Sequence, residues 1–247
     1  MSATRSPDPT ASETSAAAII VSHGQPSDPD PAEVDLAEFA AMVANALPGW
    51  HVGSATLARE GALDAALTAA GPAPLIYPLF MTQGWFTGDN LKGRVSTTPG
   101  ARVLAPLGVS PDLPVLAADH LRAVLARAGW QAGETRLFIA GHGSGRSPNS
   151  ARDTRAFADA LARLLPFREL RVGFVEEPPY LADQAFDLGE KSICLPFFAA
   201  KGGHVIDDIP DALNLAGFQG VRLDPIGCVP GVAALVARAL RQARTPA

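Results

Sequence analysis

The sequence repeats itself at an almost fixed interval. Ser22-His23-Gly24 returns as Gly141-His142-Gly143, and Pro48 returns as Pro166. Val52-Gly53 returns as Val172-Gly173, Pro78-Leu79-Phe80 as Pro196-Phe197-Phe198, and Pro106-Leu107-Gly108 as Pro225-Ile226-Gly227. The offset stays between 118 and 120 residues through all five anchors. A chain built this way folds as two copies of one unit, and the unit must accommodate both sequences.

Each unit alternates short apolar runs with longer segments of helical spacing. In the first, strands are expected at 17–22, 51–57, 74–80 and 101–105. Helices are expected at 31–47, 61–70 and 110–128, with a further helical start near Asp89. In the second, strands are expected at 135–140, 170–175, 191–198 and 221–224, and helices at 149–165, 179–187, 205–215 and 230–243. Strict β/α alternation implies an α/β fold, with mainly parallel sheets flanked by helices. The expected domains are 16–128 and 129–247, joined near 128–133, with a polar, disordered tail over 1–15.

Composition narrows the classes. The chain has 247 residues, a net charge of −5 and no basic tract, so no nucleic-acid partner is expected. A polyanionic substrate remains compatible, because local charge outweighs the total. The run Ala16 to Val21 is too short for a signal-peptide core, and the uncharged segment 65–88 is broken by Pro72, Pro74 and Pro78. No membrane association and a cytoplasmic location are therefore expected. Cys194 and Cys228 show no CxxC spacing and lie among apolar residues, which reads as two buried free thiols.

Three residues of the second unit follow strands: His142 the first, Glu176 the second and His204 the third. All three belong to the carboxyl edge of one parallel sheet, where open α/β sheets bind ligands. Two imidazoles and a carboxylate suit a divalent first-row metal with open positions. They equally suit a pair of general bases with an orienting acid. Singly, each could merely cap or pack. Gly202-Gly203 permits a sharp turn and leaves room above it. The acidic pair Asp207-Asp208 belongs to the first turn of a helix. The first unit supplies a control: it keeps His23, but has Thr56 opposite Glu176 and Phe86 opposite His204. One site, in the second unit, with the first as wall or lid, is the expectation.

The phrases His142-Gly143-Ser144 and Pro196 through Gly202-Gly203-His204-Val205-Ile206-Asp207-Asp208-Ile209-Pro210 resemble the class II tetrapyrrole chelatases. Within these the chain is similar to the long sirohydrochlorin cobaltochelatases of the CbiX type, related to CbiK and the siroheme ferrochelatases. The resemblance implies two tandem flavodoxin-like domains facing across a cleft. It implies ATP-independent insertion of Co²⁺ or Fe²⁺, with Ni²⁺ as a third candidate, into sirohydrochlorin, for cobalamin or siroheme biosynthesis. No organic cofactor is implied, and a monomer or homodimer is expected. By motif, metal handling falls on His142, Glu176 and His204, with Glu177 adjacent as the other candidate acid. Substrate contacts fall on Ser144, Arg146, Lys201, Gly202, Gly203 and Trp85, with Lys92, Arg94 and Phe86 nearby. The sequence departs from the family phrase where Gly145 stands between Ser144 and Arg146. Two other classes compete: a carrier that releases its metal or tetrapyrrole unchanged, and a hydrolase built on Gly141-His142-Gly143-Ser144. The latter lacks the Gly-x-Ser-x-Gly elbow.

Overall fold

A computed structural model describes residues 16–84 and 86–244, excluding the side chains of Phe86 and Asp89. The expected tail over 1–15 and the candidate Trp85 lie outside the described residues. The first sheet comprises β1 (Ala16–Ser22), β2 (Trp50–Thr56), β3 (Leu75–Pro78) and β4 (Arg102–Val103), in the order β2-β1-β3-β4. The second comprises β5 (Arg136–Gly141), β6 (Glu169–Phe174), β7 (Ser192–Pro196) and β8 (Val221–Arg222), in the order β6-β5-β7-β8. Every pairing within both sheets is parallel. The last strand of each sheet holds only two residues, shorter than the sequence suggests, because the chain leaves at Leu104 and Leu223 after one more ladder bond.

The helices are α1 (Pro29–Asn45), α2 (Ala62–Ala70), α3 (Leu91–Val95) and α4 (Leu113–Ala128) in the first half. They are α5 (Asn149–Leu164), α6 (Leu181–Ala185), α7 (Ile209–Leu215) and α8 (Val232–Arg244) in the second. Side chains alternate across each strand. Ile19 and Val21 of β1 pack outward with Leu63, Leu67 and Leu91, whereas Ala18 and Ile20 pack inward. In β5, Phe138 and Ala140 pack outward with Leu181 and Leu213, whereas Leu137 and Ile139 pack inward. Burial on both faces explains why the central strands read as unbroken apolar runs.

The two inward faces share one core. It holds Leu36 and Val43 of α1, Leu121 of α4, Phe157 of α5 and Leu240 of α8. The last helix of each half crosses to the other. Helix α8 lies on α1 and β3, and Arg241 donates to the Ala46 carbonyl at 2.6 Å. Helix α4 lies on α5, and Arg122 donates to the Leu164 carbonyl at 3.0 Å. The result is five layers, α/β/α/β/α, with a shared helical layer in the middle. Among the described residues no helix is long and apolar enough to cross a membrane.

Candidate metal centre at the carboxyl edge

In both sheets the chain order reverses between the first strand and the third, and the crevice above that reversal is where doubly wound sheets bind ligands. In the second sheet these strands are β5 and β7. His142 directly follows β5, and His204 follows the loop after β7. Their rings meet, with centroids 4.6 Å apart and planes at 88°.

His142 is held by its own turn. Its Nδ1 lies 2.8 Å from the Gly143 carbonyl, which can only accept, so the neutral ring carries its proton on Nδ1 and leaves the lone pair on Nε2. Gly143 has φ +71°, and a Cβ there would stand 2.8 Å from Phe174 Cβ and 2.9 Å from Glu177 Cγ. The turn therefore requires glycine. Beneath it, Ser144 N–H donates to Glu177 Oε1 at 2.8 Å.

His204 opens a single wide π-helical turn, His204–Asp208, that runs into α7 with Pro210 near its start. One turn on, Asp208 Oδ2 lies 2.7 Å from His204 Nδ1. A carboxylate there fixes the same tautomer as in His142 and orients the ring, leaving Nε2 bare. Asp208 was legible only as a helix-start acid; its i,i+4 relation to His204 is what makes it an orienting group. Phe198 is a second residue that sequence reasoning missed. Its ring lies 6.2 Å from that of His142 and 6.4 Å from that of His204, and the doubled phenylalanine closing Pro196-Phe197-Phe198 was its signal.

The other candidates divide. Glu176 donates its backbone N–H to the His142 carbonyl at 2.9 Å, but its side chain is exposed and without a partner among the described residues. Glu177 is already engaged with Ser144. Among the described residues no group of three or more His, Cys, Asp or Glu is gathered as a metal cage. The structure thus joins the two imidazoles and attaches Glu176 only through its backbone. Ser144 Oγ accepts from the Arg146 N–H at 3.2 Å, and the exposed Arg146 guanidinium has no partner among the described residues. Lys201 is not free: its Nζ lies 2.8 Å from Asp224 Oδ1, and that hydrogen bond raises its pKa. Neither Gly202 nor Gly203 has positive φ. Their contribution is space, with nothing within 4 Å of a Cβ at Gly202 and only Asp207 Oδ2, at 3.9 Å, near one at Gly203. Lys92 is exposed and Arg94 half-buried on α3.

The cysteines also divide. Cys194 is buried, and burial pushes its thiol up to about 12. Cys228 is exposed, against expectation, because it closes a turn beyond β8 beside Lys201.

The first half has lost this arrangement. His23 keeps the backbone contact, with Nδ1 3.0 Å from the Gly24 carbonyl. Strand register corrects the expected pairing of Thr56 with Glu176: Thr56, fully buried and donating its N–H to Glu33 at 2.8 Å, is the counterpart of Phe174, and Ala58, whose N–H donates to the His23 carbonyl at 2.9 Å, is that of Glu176.

The whole chain resembles a solved structure of CbiX, described as the terminal enzyme for biosynthesis of siroheme in denitrifying bacteria. The two share 43% identity with a TM-score of 0.85, over 93% of this chain and 100% of that one. The chain belongs to the CbiX family. The CbiX family model matches residues 136–243, the half that carries the histidine pair. A curated probable sirohydrochlorin cobaltochelatase of Halobacterium salinarum is 32% identical over 77 residues, 30% of this chain. That match spans about a quarter of the curated relative's length, 26%. SirB from Bacillus subtilis, solved with Fe³⁺, shares the fold with 18% identity and a TM-score of 0.70, over 92% of this chain and 94% of that one. A multi-domain protein from Deinococcus radiodurans shares it with 19% identity and a TM-score of 0.73, over 94% of this chain but 56% of its own. CbiX membership thus rests on the full-length match, and the fold on all of these.

Proposed function

We propose that this CbiX-family chain inserts a divalent metal, Co²⁺ or Fe²⁺, into sirohydrochlorin without ATP. The observation that carries the reading is the facing pair His142 and His204, each with Nδ1 occupied and Nε2 bare, above the crevice of the second sheet. Metal–imidazole bonds of about 2 Å allow rings at this separation to share one ion. Two ligands hold a metal loosely, and a chelatase must surrender what it holds. Glu176, whose exposed carboxylate has no partner among the described residues, is the acid that balances the charge.

The stoichiometry fits a pair. Four metal–nitrogen bonds form in the macrocycle, two pyrrole N–H bonds break, and two protons leave. As the metal departs, each imidazole Nε2 regains a lone pair and can accept one of those protons. The hydrogen bonds at both Nδ1 atoms keep the rings in place throughout. Arg146, Lys92 and Arg94 supply cations for the peripheral carboxylates. The substrate slot opens over Gly202 and Gly203. The metal and the tetrapyrrole are both substrates, and no resident cofactor takes part.

Purified protein mixed with sirohydrochlorin and Co²⁺, Fe²⁺ or Ni²⁺ in turn tests this through the change in the macrocycle's absorption spectrum. Conversion well above the protein-free rate is expected with Co²⁺ or Fe²⁺. Tight binding of metal and macrocycle without spectral conversion would instead make the chain a carrier, a reading that no feature of the site favours.

A further inference from the structure

One buried carboxylate is left over by this mechanism. Asp153 lies in the first turns of α5, with only 7% of its side chain exposed. A carboxylate so placed must be fully hydrogen-bonded to be tolerated. Its partners come mainly from the other half. Oδ2 accepts from the Thr82 hydroxyl at 2.6 Å and from the Gln83 N–H at 2.9 Å, while Oδ1 accepts from Arg152 Nε at 3.0 Å. Thr82 and Gln83 follow β3 and are the counterparts, by the internal repeat, of the loop that leads to His204. The clamp continues along the first-half loop. The buried Thr87 hydroxyl accepts from the Gly84 N–H at 3.0 Å and lies 3.2 Å from the Gly84 carbonyl. On the other side, Thr154, next to Asp153, sits under Gly141, with Oγ1 3.1 Å from where a Cβ would stand. Gly141 immediately precedes His142.

The two halves use this helix position differently. The buried series Thr154, Ala158, Leu161 and Leu165 of the second half matches Leu36, Ala40, Val43 and Leu47 of the first, so the counterpart of Asp153 is Asp35. Asp35 is exposed and makes no hydrogen bond among the described residues. Asp153 reaches across. In the second half, the Lys201 ammonium pairs with Asp224 of the same half. Thus, among the described residues, the loop without a histidine is hydrogen-bonded to the opposite half at this position, and the loop with one is not.

We propose that Asp153 is a positioning residue. It fixes Thr82 and Gln83 of the first half against the helix that backs His142, so that one wall of the macrocycle slot is set before substrate arrives. This rests on the chelatase reading above. A preset wall lowers the ordering needed on binding, so its loss falls on macrocycle affinity.

The test compares Asp153→Ala, Asp153→Asn and Thr82→Val with the unaltered protein. Steady-state insertion, Co²⁺ affinity and amide hydrogen exchange at Gln83 and Gly84 are measured. In Asp153→Ala the KM for sirohydrochlorin should rise about tenfold, with kcat and Co²⁺ affinity changed less than about twofold. Asp153→Asn, which keeps one acceptor oxygen, should recover part of the KM, and Gln83 should lose protection in Asp153→Ala. A folded Asp153→Ala protein with unchanged KM and unchanged Gln83 exchange overturns the inference. Should Asp153→Ala fail to fold, Thr82→Val decides, with a KM rise of about threefold expected and none overturning it. An unaltered protein inactive with every metal would sink the chelatase reading instead. Sirohydrochlorin affinity by fluorescence quenching then decides this point, with about tenfold weaker binding by Asp153→Ala supporting it and equal binding overturning it.

Discussion

His204 and Asp208 form a carboxylate–imidazole pair 2.7 Å apart across one turn of a π-helical segment. The acid lies on the far side of the ring from the bare nitrogen. It selects the tautomer and sets the ring's angle toward His142.

Removing that acid should therefore loosen the metal while leaving the fold intact. Asp208→Ala is expected to weaken Co²⁺ affinity or insertion by about 10- to 100-fold, the usual effect of losing such a partner. Isothermal titration with Co²⁺ checks the affinity, and circular dichroism checks the fold. An unchanged affinity would mean that the ring is oriented by packing alone.

The turn after His142 should tolerate nothing larger than glycine. Gly143→Ala forces a positive φ on a residue that resists it and drives a methyl into Phe174 and Glu177. A cost of about 1–3 kcal/mol is expected from the backbone conformation, with a further steric loss. Thermal unfolding should show Tm lower by several degrees, and insertion should fall because His142 moves with the turn. Gly202→Ala is the contrast. It meets nothing within 4 Å, so Tm should hold while KM for the macrocycle rises.

The crossing of α8 makes a prediction about where stability is felt. Leu240 is fully buried in the core between the sheets, on a helix that lies against α1 and β3. Leu240→Ala should cost about 2–5 kcal/mol. Native-state hydrogen exchange should quicken in α1 and β3, more than a hundred residues away in sequence, rather than in α7 and β8. The reverse pattern would contradict the exchanged arrangement.

Far from the site, Glu169 lies between Arg171 and Arg136, 2.6 and 3.0 Å away. The Arg171 hydrogen bond, with Arg136 behind it, holds its pKa below the ordinary 4.5. A carboxylate depressed by folding contributes stability above its unfolded value and loses it as pH falls through its folded value. Glu169→Gln should therefore lower Tm at pH 7 by about 1–3 °C, since the group is part-exposed. The gap should close as pH drops below 4.5, and insertion kinetics at pH 7 should be unaffected.

Much of this was readable from the residues. Buried parallel strands leave contiguous apolar runs, so all eight strands and the placing of His142 and His204 were legible, whereas the match of Val52-Gly53 with Val172-Gly173 set the second strands two residues out of register. What stayed hidden depends on contacts that no local pattern encodes. Helices α4 and α8 look like the closing helices of their own units, and only tertiary packing sends each to the other. Lys201 looked free until Asp224 was found beside it. Glu176 and Glu177 are neighbours of one type, and only the Gly143 turn decides which of them is committed. Cys228 sits in an apolar phrase, yet its turn faces outward.

The most direct measurement is insertion of Co²⁺ into sirohydrochlorin by His204→Ala and His23→Ala, the equivalent edges of the two halves being represented by His204 and His23. The single-site reading predicts that His204→Ala loses activity by at least about 100-fold, with Co²⁺ binding weakened, while His23→Ala turns over at close to the unaltered rate. Normal turnover in His204→Ala, or its loss in His23→Ala alone, would contradict it.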